Sequence, residues 1–233
     1  MLMLSGLLGF MLLGGIAFMP DSEPPVAEEE EFEPDAPELE ESAQPTDGPD
    51  LLWGRFLDDM IDGRGGDDQL NGYDGNDTLD GGGGNDTVFG GSGDDVMTGG
   101  HGDDMLQGLT GHDTLMGGAG DDMLIDTDLE RDYLNGGDGN DSIHSYGADV
   151  LTGGAGADTF VYTDVGDEPI EILDFDPTVD TMAIQFHEND VRDISVHPVS
   201  DDVYEIRLGD QVAAHIKSNA PFDASSIVVQ THT

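Results

Sequence analysis

The stretch from Gly63 to Ile125 reads, without a gap, GRGGDDQLN, GYDGNDTLD, GGGGNDTVF, GGSGDDVMT, GGHGDDMLQ, GLTGHDTLM and GGAGDDMLI. Each unit has nine residues, with aspartate at the sixth position and a bulky apolar residue at the eighth. A nine-residue unit is too small to bury its own apolar face, so it must stack on its neighbours. The period therefore predicts a solenoid.

The repeat continues beyond this stretch with two irregular units. A ten-residue unit, DTDLERDYLN, spans residues 126–135, and an eight-residue unit, SYGADVLT, spans residues 145–152. The regular units GGDGNDSIH and GGAGADTFV follow them in turn, and a degenerate unit, GRFLDDMID, begins the array at Gly54. The insertion and the deletion cancel, so the register of the repeat is restored by residue 153.

The eighth positions predict the core of an all-β fold, a parallel β-roll or right-handed β-solenoid of nonapeptide repeats. Alternate units should face each other across a flattened spiral, so two units make one coil and the twelve units make about six coils. Leu79, Met97 and Leu115 are then expected on one wall, and Leu70, Val88 and Leu106 on the other. The apolar residues at this position are Ile61, Leu70, Leu79, Val88, Met97, Leu106, Leu115, Leu124, Leu134, Ile143, Leu151 and Phe160.

The first six residues of each unit predict tight turns that hold cations. Glycine at the first, second and fourth positions permits positive φ and close approach of the backbone. Carbonyl oxygens exposed by such turns, together with the aspartate that follows, make a flexible all-oxygen environment, which suits Ca²⁺ better than Mg²⁺. Stacked turns belong to units n and n+2, so Asp68 and the loop from Gly81 to Asp86 are expected to share an ion.

These units resemble the hemolysin-type calcium-binding repeat of RTX proteins, G-G-x-G-x-D-x-U-x. The resemblance covers nearly half of the chain and implies a parallel β-roll with Ca²⁺ between its turns. The segment GGAGADTFVY and the later ILDFDPTVDTMAI are similar to the carboxy-terminal module of serralysin-type secreted proteins.

Complete ligand sets are predicted only where the turn is intact. The 126–135 and 145–152 units lack most of the turn, and the first unit keeps only its leading glycine, so no site is predicted at Asp59, Asp132 or Asp149. Asp174, Asp176 and Asp180 either hold one more ion or form a turn with solvated acids. The predicted metal ligands are Asp68, Asp77, Asp86, Asp95, Asp104, Asp113, Asp122, Asp141 and Asp158.

Three further segments flank or precede the array. Residues 1–19 are apolar and uncharged, and predict a hydrophobic helix that serves as a membrane anchor or signal segment. Residues 20–50 are acidic and rich in proline, which predicts a disordered linker before the roll at 51–161. Residues 162–233 show the alternation typical of strands and predict a β module that caps the roll, with Gly209 and Asp210 at a hairpin turn.

Charge and motifs restrict the function. The formal net charge of -46 argues against nucleic acid as a partner and favours cations. The chain has no cysteine, and its seven histidines form no HExxH motif, so no enzyme is predicted.

We expect a non-catalytic, secreted or surface-displayed calcium-binding module, whose folding depends on Ca²⁺. The alternative is an adhesion, ice-binding or oligomerisation module that uses outward apolar residues. A third reading of these residues is that the carboxy-terminal strands cover them. The residues are Phe89, Val96, Met105, Met116, Met123 and Ile125.

Overall fold

A computed structural model of the protein describes residues 44–163, 168–187 and 193–232. These residues form a parallel β-solenoid of about seven turns, which confirms the predicted fold class. The predicted apolar helix at 1–19 and most of the linker predicted at 20–50 lie outside the described residues. In the part that is described, no helix has the length and apolar character needed to cross a membrane.

Two sheets form the walls of the solenoid. Strands are numbered in chain order, and successive strands alternate between the sheets as far as β16. The nine-stranded sheet consists of β1 (Leu51–Trp53), β3 (Gln69–Asp74), β5 (Thr87–Ser92), β7 (Met105–Thr110), β9 (Met123–Ile125), β11 (Ser142–Ser145), β13 (Thr159–Thr163), β15 (Thr181–His187) and β19 (Ile227–His232). The ten-stranded sheet consists of β2 (Met60–Asp62), β4 (Thr78–Gly83), β6 (Val96–His101), β8 (Thr114–Ala119), β10 (Tyr133–Asp138), β12 (Val150–Ala155), β14 (Ile170–Phe175), β16 (Ile194–Pro198), β17 (Val203–Leu208) and β18 (Gln211–Ser218). A short 3₁₀ helix, Ala224–Ser226, precedes β19.

The eighth positions of the units form the core between the two sheets, as predicted. In the nine-stranded sheet Leu70 pairs with Val88, and Val88 with Leu106. The other predicted wall, with Leu79, Met97 and Leu115, lies in the ten-stranded sheet. The eighth residues from Leu70 to Phe160 are at most 1% exposed.

The two ends of the core differ from its middle. Ile61, in the edge strand β2 of the ten-stranded sheet, is only partly buried. Leu52, which lies before the first recognised unit, pairs with Leu70 and is 2% exposed. The apolar stack therefore begins one strand earlier than the repeat pattern indicates.

Strands after residue 161 extend both sheets. β14 and β18 continue the ten-stranded sheet in parallel, and β15 and β19 continue the other. β16, β17 and β18 pair antiparallel, and the predicted hairpin turns at Gly209, whose φ is +62°. The rings of Phe160, Phe175, Phe222 and Tyr204 pack in a chain over this end of the core. The division of the chain at residues 161 and 162 stays a prediction.

The outward apolar residues named above divide between two faces. Phe89, Met105, Met123 and Ile125 lie in the nine-stranded sheet, whereas Val96 and Met116 lie in the ten-stranded sheet. Val96, Met116 and Met123 are 39%, 37% and 41% exposed. The carboxy-terminal strands extend the two sheets and leave these three side chains uncovered. The six residues therefore do not form one continuous patch.

Candidate calcium sites

The turns of the solenoid lie along two edges. On the first edge the chain passes from the nine-stranded to the ten-stranded sheet, and on the second edge it passes back. The aspartates at the sixth position of the units on the first edge are Asp59, Asp77, Asp95, Asp113, Asp132 and Asp149. The second edge holds Asp68, Asp86, Asp104, Asp122, Asp141, Asp158 and then Asp180.

Each edge carries a ladder of hydrogen bonds between successive aspartates. The backbone N–H of Asp68 donates to Oδ1 of Asp86 at 2.8 Å, and the N–H of Asp86 donates to Oδ1 of Asp104 at 2.7 Å. Partners in the regular coils are 18 residues apart, which is one full coil. All nine predicted ligands accept such a bond and are only 1–3% exposed.

The second carboxylate oxygen of most ladder aspartates has no hydrogen-bond partner. Burying a carboxylate oxygen without a partner costs free energy, and burying its charge costs far more. A row of such oxygens along both edges requires either protons or cations. Among the predicted ligands, the unpartnered Oδ2 atoms belong to Asp68, Asp77, Asp86, Asp95, Asp104, Asp113, Asp122 and Asp141.

Backbone carbonyl oxygens converge on these unpartnered atoms. A Cβ added at Gly63 would lie 2.5 Å from the carbonyl oxygen of Gly81 and 2.6 Å from Oδ2 of Asp68. One Cβ position therefore faces a carboxylate oxygen of one coil and a carbonyl oxygen of the next. This donor set fits Ca²⁺, which takes carboxylate and carbonyl oxygens at 2.3–2.6 Å. The predicted sharing of an ion by Asp68 and the loop from Gly81 remains a proposal.

Burial raises the pKa of the ladder carboxyl groups. The pKa of Asp95 and that of Asp122 are raised to about 7, chiefly by burial and further by the charges of neighbouring aspartates. The pKa of Asp104, Asp113 and Asp141 is raised to about 6 for the same reasons. A cation between the turns would reverse this effect, because it favours the charged form.

Three residues keep the turn conformation without glycine. Arg64, Tyr73 and Leu109 stand at the second position of their units, and their φ angles are +72°, +74° and +86°. The glycines at the same position in neighbouring coils also have positive φ, for example +99° at Gly82 and +126° at Gly91. The stack thus imposes a left-handed backbone even on side chains that rarely adopt it.

A second ladder at the fifth position of the units was missed from the sequence. Oδ1 of Asp67 accepts from the N–H of Asn85 at 2.9 Å, and Oδ1 of Asn85 accepts from the N–H of Asp103 at 3.1 Å. The signal was the frequent Asp or Asn before the sixth-position aspartate. These side chains are exposed and support the turns from outside.

The irregular units bring together a group that the sequence analysis did not assemble. Asp126, Asp132 and Asp149 are 0% exposed, and one ligand atom from each lies within 4.8 Å of the other two. Burial and mutual repulsion raise the pKa of Asp126 to about 9 and that of Asp132 to about 7. Asp126 itself was missed, although it stands where regular units have their first glycine.

The acidic turn after β14 has its own hydrogen bonds. Asp174 accepts from the N–H groups of Gly153 and Gly154 at 3.0 and 2.9 Å. Asp180 accepts from the N–H of Asp158 at 3.0 Å, so it continues the ladder of the second edge. Asp176 accepts from Thr178 and Asn219, which lower its pKa. Each of the three carboxylates therefore orders a different piece of backbone.

Comparisons with known proteins agree with the repeat. The model of the RTX calcium-binding nonapeptide repeat (4 copies) matches residues 46–79, 53–88, 71–106, 89–124 and 126–160. No curated protein sequence matches the chain. Among solved structures, the extracellular lipase LipA from Serratia marcescens is similar over 79% of this chain, with 16% identity and a TM-score of 0.33. The matched region spans 39% of the length of that lipase. Residues 46–160 of this chain therefore belong to the family of RTX calcium-binding nonapeptide repeats.

Proposed function

We propose that this chain is a non-catalytic, secreted or surface-displayed module that binds several Ca²⁺ ions in the turns of its roll and folds only when they are present. The observation that carries the proposal is the row of buried, unpartnered Oδ2 atoms along both edges. Carbonyl oxygens of the next coil lie beside these atoms, as at Gly63 and Gly81. The proposed ligands are the nine aspartates predicted from the repeat.

The residues of each turn would provide the space for the ion and would orient the carboxylates that bind it. The first-position glycines leave space at the point where carboxylate and carbonyl oxygens converge. The N–H to Oδ1 bonds hold each carboxylate in one orientation, so its Oδ2 faces that space. A bound ion would supply positive charge between stacked carboxylates, which otherwise repel each other within the Debye length of about 8 Å.

The size of the effect follows from linkage. When free Ca²⁺ is about ten times the Kd, each site stabilises the folded chain by about 1.4 kcal/mol, so nine sites give roughly 13 kcal/mol. This is comparable to the whole stability of a typical domain, about 5–15 kcal/mol. Extracellular calcium modules bind with Kd near 10⁻⁴ to 10⁻³ M, so calcium at cytosolic levels would leave such sites empty. RTX repeat proteins are typically secreted or extracellular, which agrees with folding outside the cell.

Circular dichroism of the full chain tests the proposal. With excess calcium we expect the spectrum of a β protein, and with excess chelator the spectrum of an unfolded chain. Magnesium at the same concentration is the matched control, because its stricter octahedron and tightly held water suit these turns poorly. A β spectrum that is unchanged by the chelator would overturn the proposal.

A further inference from the structure

The two irregular units are stacked on each other. The unit at 136–144 turns on the second edge, so the 126–135 and 145–152 turns are consecutive on the first edge. Asp126 follows β9 directly, and its N–H donates to the carbonyl oxygen of His144 at 2.9 Å. Asp126 thus occupies the place that Gly108 has one coil earlier, and Ser145 has it one coil later. At this point of the roll, polar side chains replace the glycines of the regular turn.

The replacement fills the turn with carboxylates. Oδ1 of Asp132 accepts from the N–H of Asp113 at 2.6 Å, and Oδ1 of Asp149 accepts from the N–H of Asp132 at 3.0 Å. The hydroxyl of Ser145 donates to Oδ2 of Asp149 at 2.5 Å. These bonds leave Oδ2 of Asp126 and Oδ2 of Asp132 buried without a partner. Two unpartnered oxygens therefore lie in a group of three buried carboxyl groups.

Among the described residues, no ion pair joins a basic side chain to this group. The ion pairs found among the described residues join Arg131 to Glu171, Arg207 to Glu205 and His215 to Glu205. Arg131, although it directly precedes Asp132, has its guanidinium 3.4 Å from the Glu171 carboxylate. Buried charges that are neither paired nor bound to a metal are strongly unfavourable. A cation bound from solution would therefore stabilise the charged form of this group.

The spacing suits one calcium ion. Ligands on opposite sides of Ca²⁺, each at 2.3–2.6 Å, lie about 5 Å apart, and the three ligand atoms here lie within 4.8 Å of one another. A regular turn has glycine at the first position and so gains no carboxylate there. Because affinity for Ca²⁺ rises with the number of charged ligands, three carboxylates should bind more tightly than a regular turn.

We infer that Asp126, Asp132 and Asp149 form a separate calcium site, which binds one Ca²⁺ more tightly than the glycine turns do. The inference deepens the proposed function, on which it rests, by placing an ion where the repeat has no complete turn. In this role the site holds the ten-residue and the eight-residue turn together, so the stack keeps its register across the irregular coils.

Calcium titration of the full chain by isothermal calorimetry tests the site. The variants are Asp126→Asn, which removes one charge at nearly constant shape, and Asp95→Asn as the matched control in a regular turn of the same edge. We expect the wild type to bind one ion in a tighter class than the rest. Asp126→Asn should weaken that class by about tenfold or more, whereas Asp95→Asn should keep it and lose binding from the weaker class.

The outcomes separate this inference from the proposed function. If neither the wild type nor the variants bind calcium, the proposed function is wrong. If calcium still folds the chain but Asp126→Asn keeps the tight ion, or the wild type has no tight class, only the inference fails. Should Asp126→Asn not fold in calcium, Asp126→Gly carries the test, since glycine is the residue of the regular unit. If neither variant folds, the wild type is dialysed against micromolar chelator, and retention of fewer than one ion per chain overturns the inference.

Discussion

Replacing Gly81 with alanine would put a methyl group where oxygen atoms of two coils converge. The added Cβ would lie 2.5 Å from Oδ2 of Asp86 and 2.8 Å from the carbonyl oxygen of Gly99. Carbon and oxygen atoms do not approach this closely, so the turn would have to open. The backbone at Gly81 does not have positive φ, and alanine is therefore conformationally acceptable there. The substitution should therefore disturb the ion site and the packing around it, without adding backbone strain.

The magnitude depends on how many ions are lost. At free calcium about ten times the Kd, the loss of one or two ions removes about 1.4 to 2.8 kcal/mol of unfolding free energy. Alanine also restricts the unfolded chain, which returns roughly 0.4–1 kcal/mol and leaves a net loss of about 0.4–2.4 kcal/mol. For a chain of this size, 1 kcal/mol shifts the Tm by about 2–4 °C, so the Tm in calcium should fall by about 1–10 °C. This net loss should shrink as calcium is lowered.

The matched control is Gly209→Ala in the hairpin between β17 and β18. No atom lies within 4 Å of an added Cβ there, and the φ of +62° predicts a cost of about 1 kcal/mol from backbone strain alone. Thermal unfolding followed by circular dichroism at several calcium concentrations compares the two variants. Gly209→Ala should lower the Tm by the same amount at each concentration at which the chain folds. The reasoning is refuted if Gly81→Ala leaves both the number of bound ions and the calcium midpoint unchanged.

Three further predictions concern pH, backbone strain and the cap. In chelator, the raised pKa of about 7 at Asp95 and Asp122 lets the folded chain hold protons that the unfolded chain has released. Any residual structure in chelator should therefore be greater at acid pH and decrease as pH rises through 6–7, and circular dichroism that shows more structure at pH 8 than at pH 5 would contradict this. Leu109→Gly should relieve the left-handed strain at φ +86° and raise the unfolding free energy by about 0.5–1 kcal/mol, measured as a higher Tm in calcium; a lower Tm would refute it. Phe222→Ala should cost roughly 2 kcal/mol in chemical denaturation with excess calcium, because its ring packs 5.2 Å from that of Phe175 and 4.9 Å from that of Tyr204. A change in calcium stoichiometry in that variant would contradict a purely packing role.

The period of the repeat was enough to predict the walls and the ladder aspartates. Each unit forces its eighth residue inward, so a count of two units, or 18 residues, places Leu70 beside Val88 without further information. The same count puts each sixth-position aspartate above another, 18 residues away. At these positions the local preference of each residue and the stacking of the coils favour the same conformation. The structure of such a repeat can therefore be predicted from its sequence.

Prediction was weaker where the period ends. Phe160 pairs with Met182, 22 residues later, and Met182 pairs with Ile227, 45 residues later. These strands join the solenoid because their apolar side chains match the open end of the core. Neither separation is a multiple of the 18 residues of one regular coil, so counting along the repeat could not place these strands. Asp180 was considered only with its neighbours in sequence, although in the fold it continues the second edge.

The burial of Asp126 was missed for a different reason. An acidic residue in a unit without glycines is normally taken for a solvated loop residue. In the fold, the strand pairing of Ile125 with His144 fixes the next residue at the inner end of the turn, whatever its side chain. Position in the stack therefore overrides the preference of aspartate for solvent.

The position of the two irregular units also makes the two edges of the roll unequal. Both units turn on the first edge, so the second edge keeps regular glycine turns as far as Asp158. The N–H to Oδ1 bonds that couple one coil to the next continue on both edges, from Asp68 to Asp180 on the second edge and through the irregular units to Asp149 on the first. On the first edge, the regular glycine turns end at Asp113, whose N–H donates to Asp132 of the carboxylate group. An ion at that group would therefore act on the last regular coil before the irregular turns through the same type of bond that joins regular turns. The solenoid can thus tolerate a damaged turn because the apolar stack and the opposite ladder continue past it, while the extra carboxylate at Asp126 takes the place of the lost glycine turn.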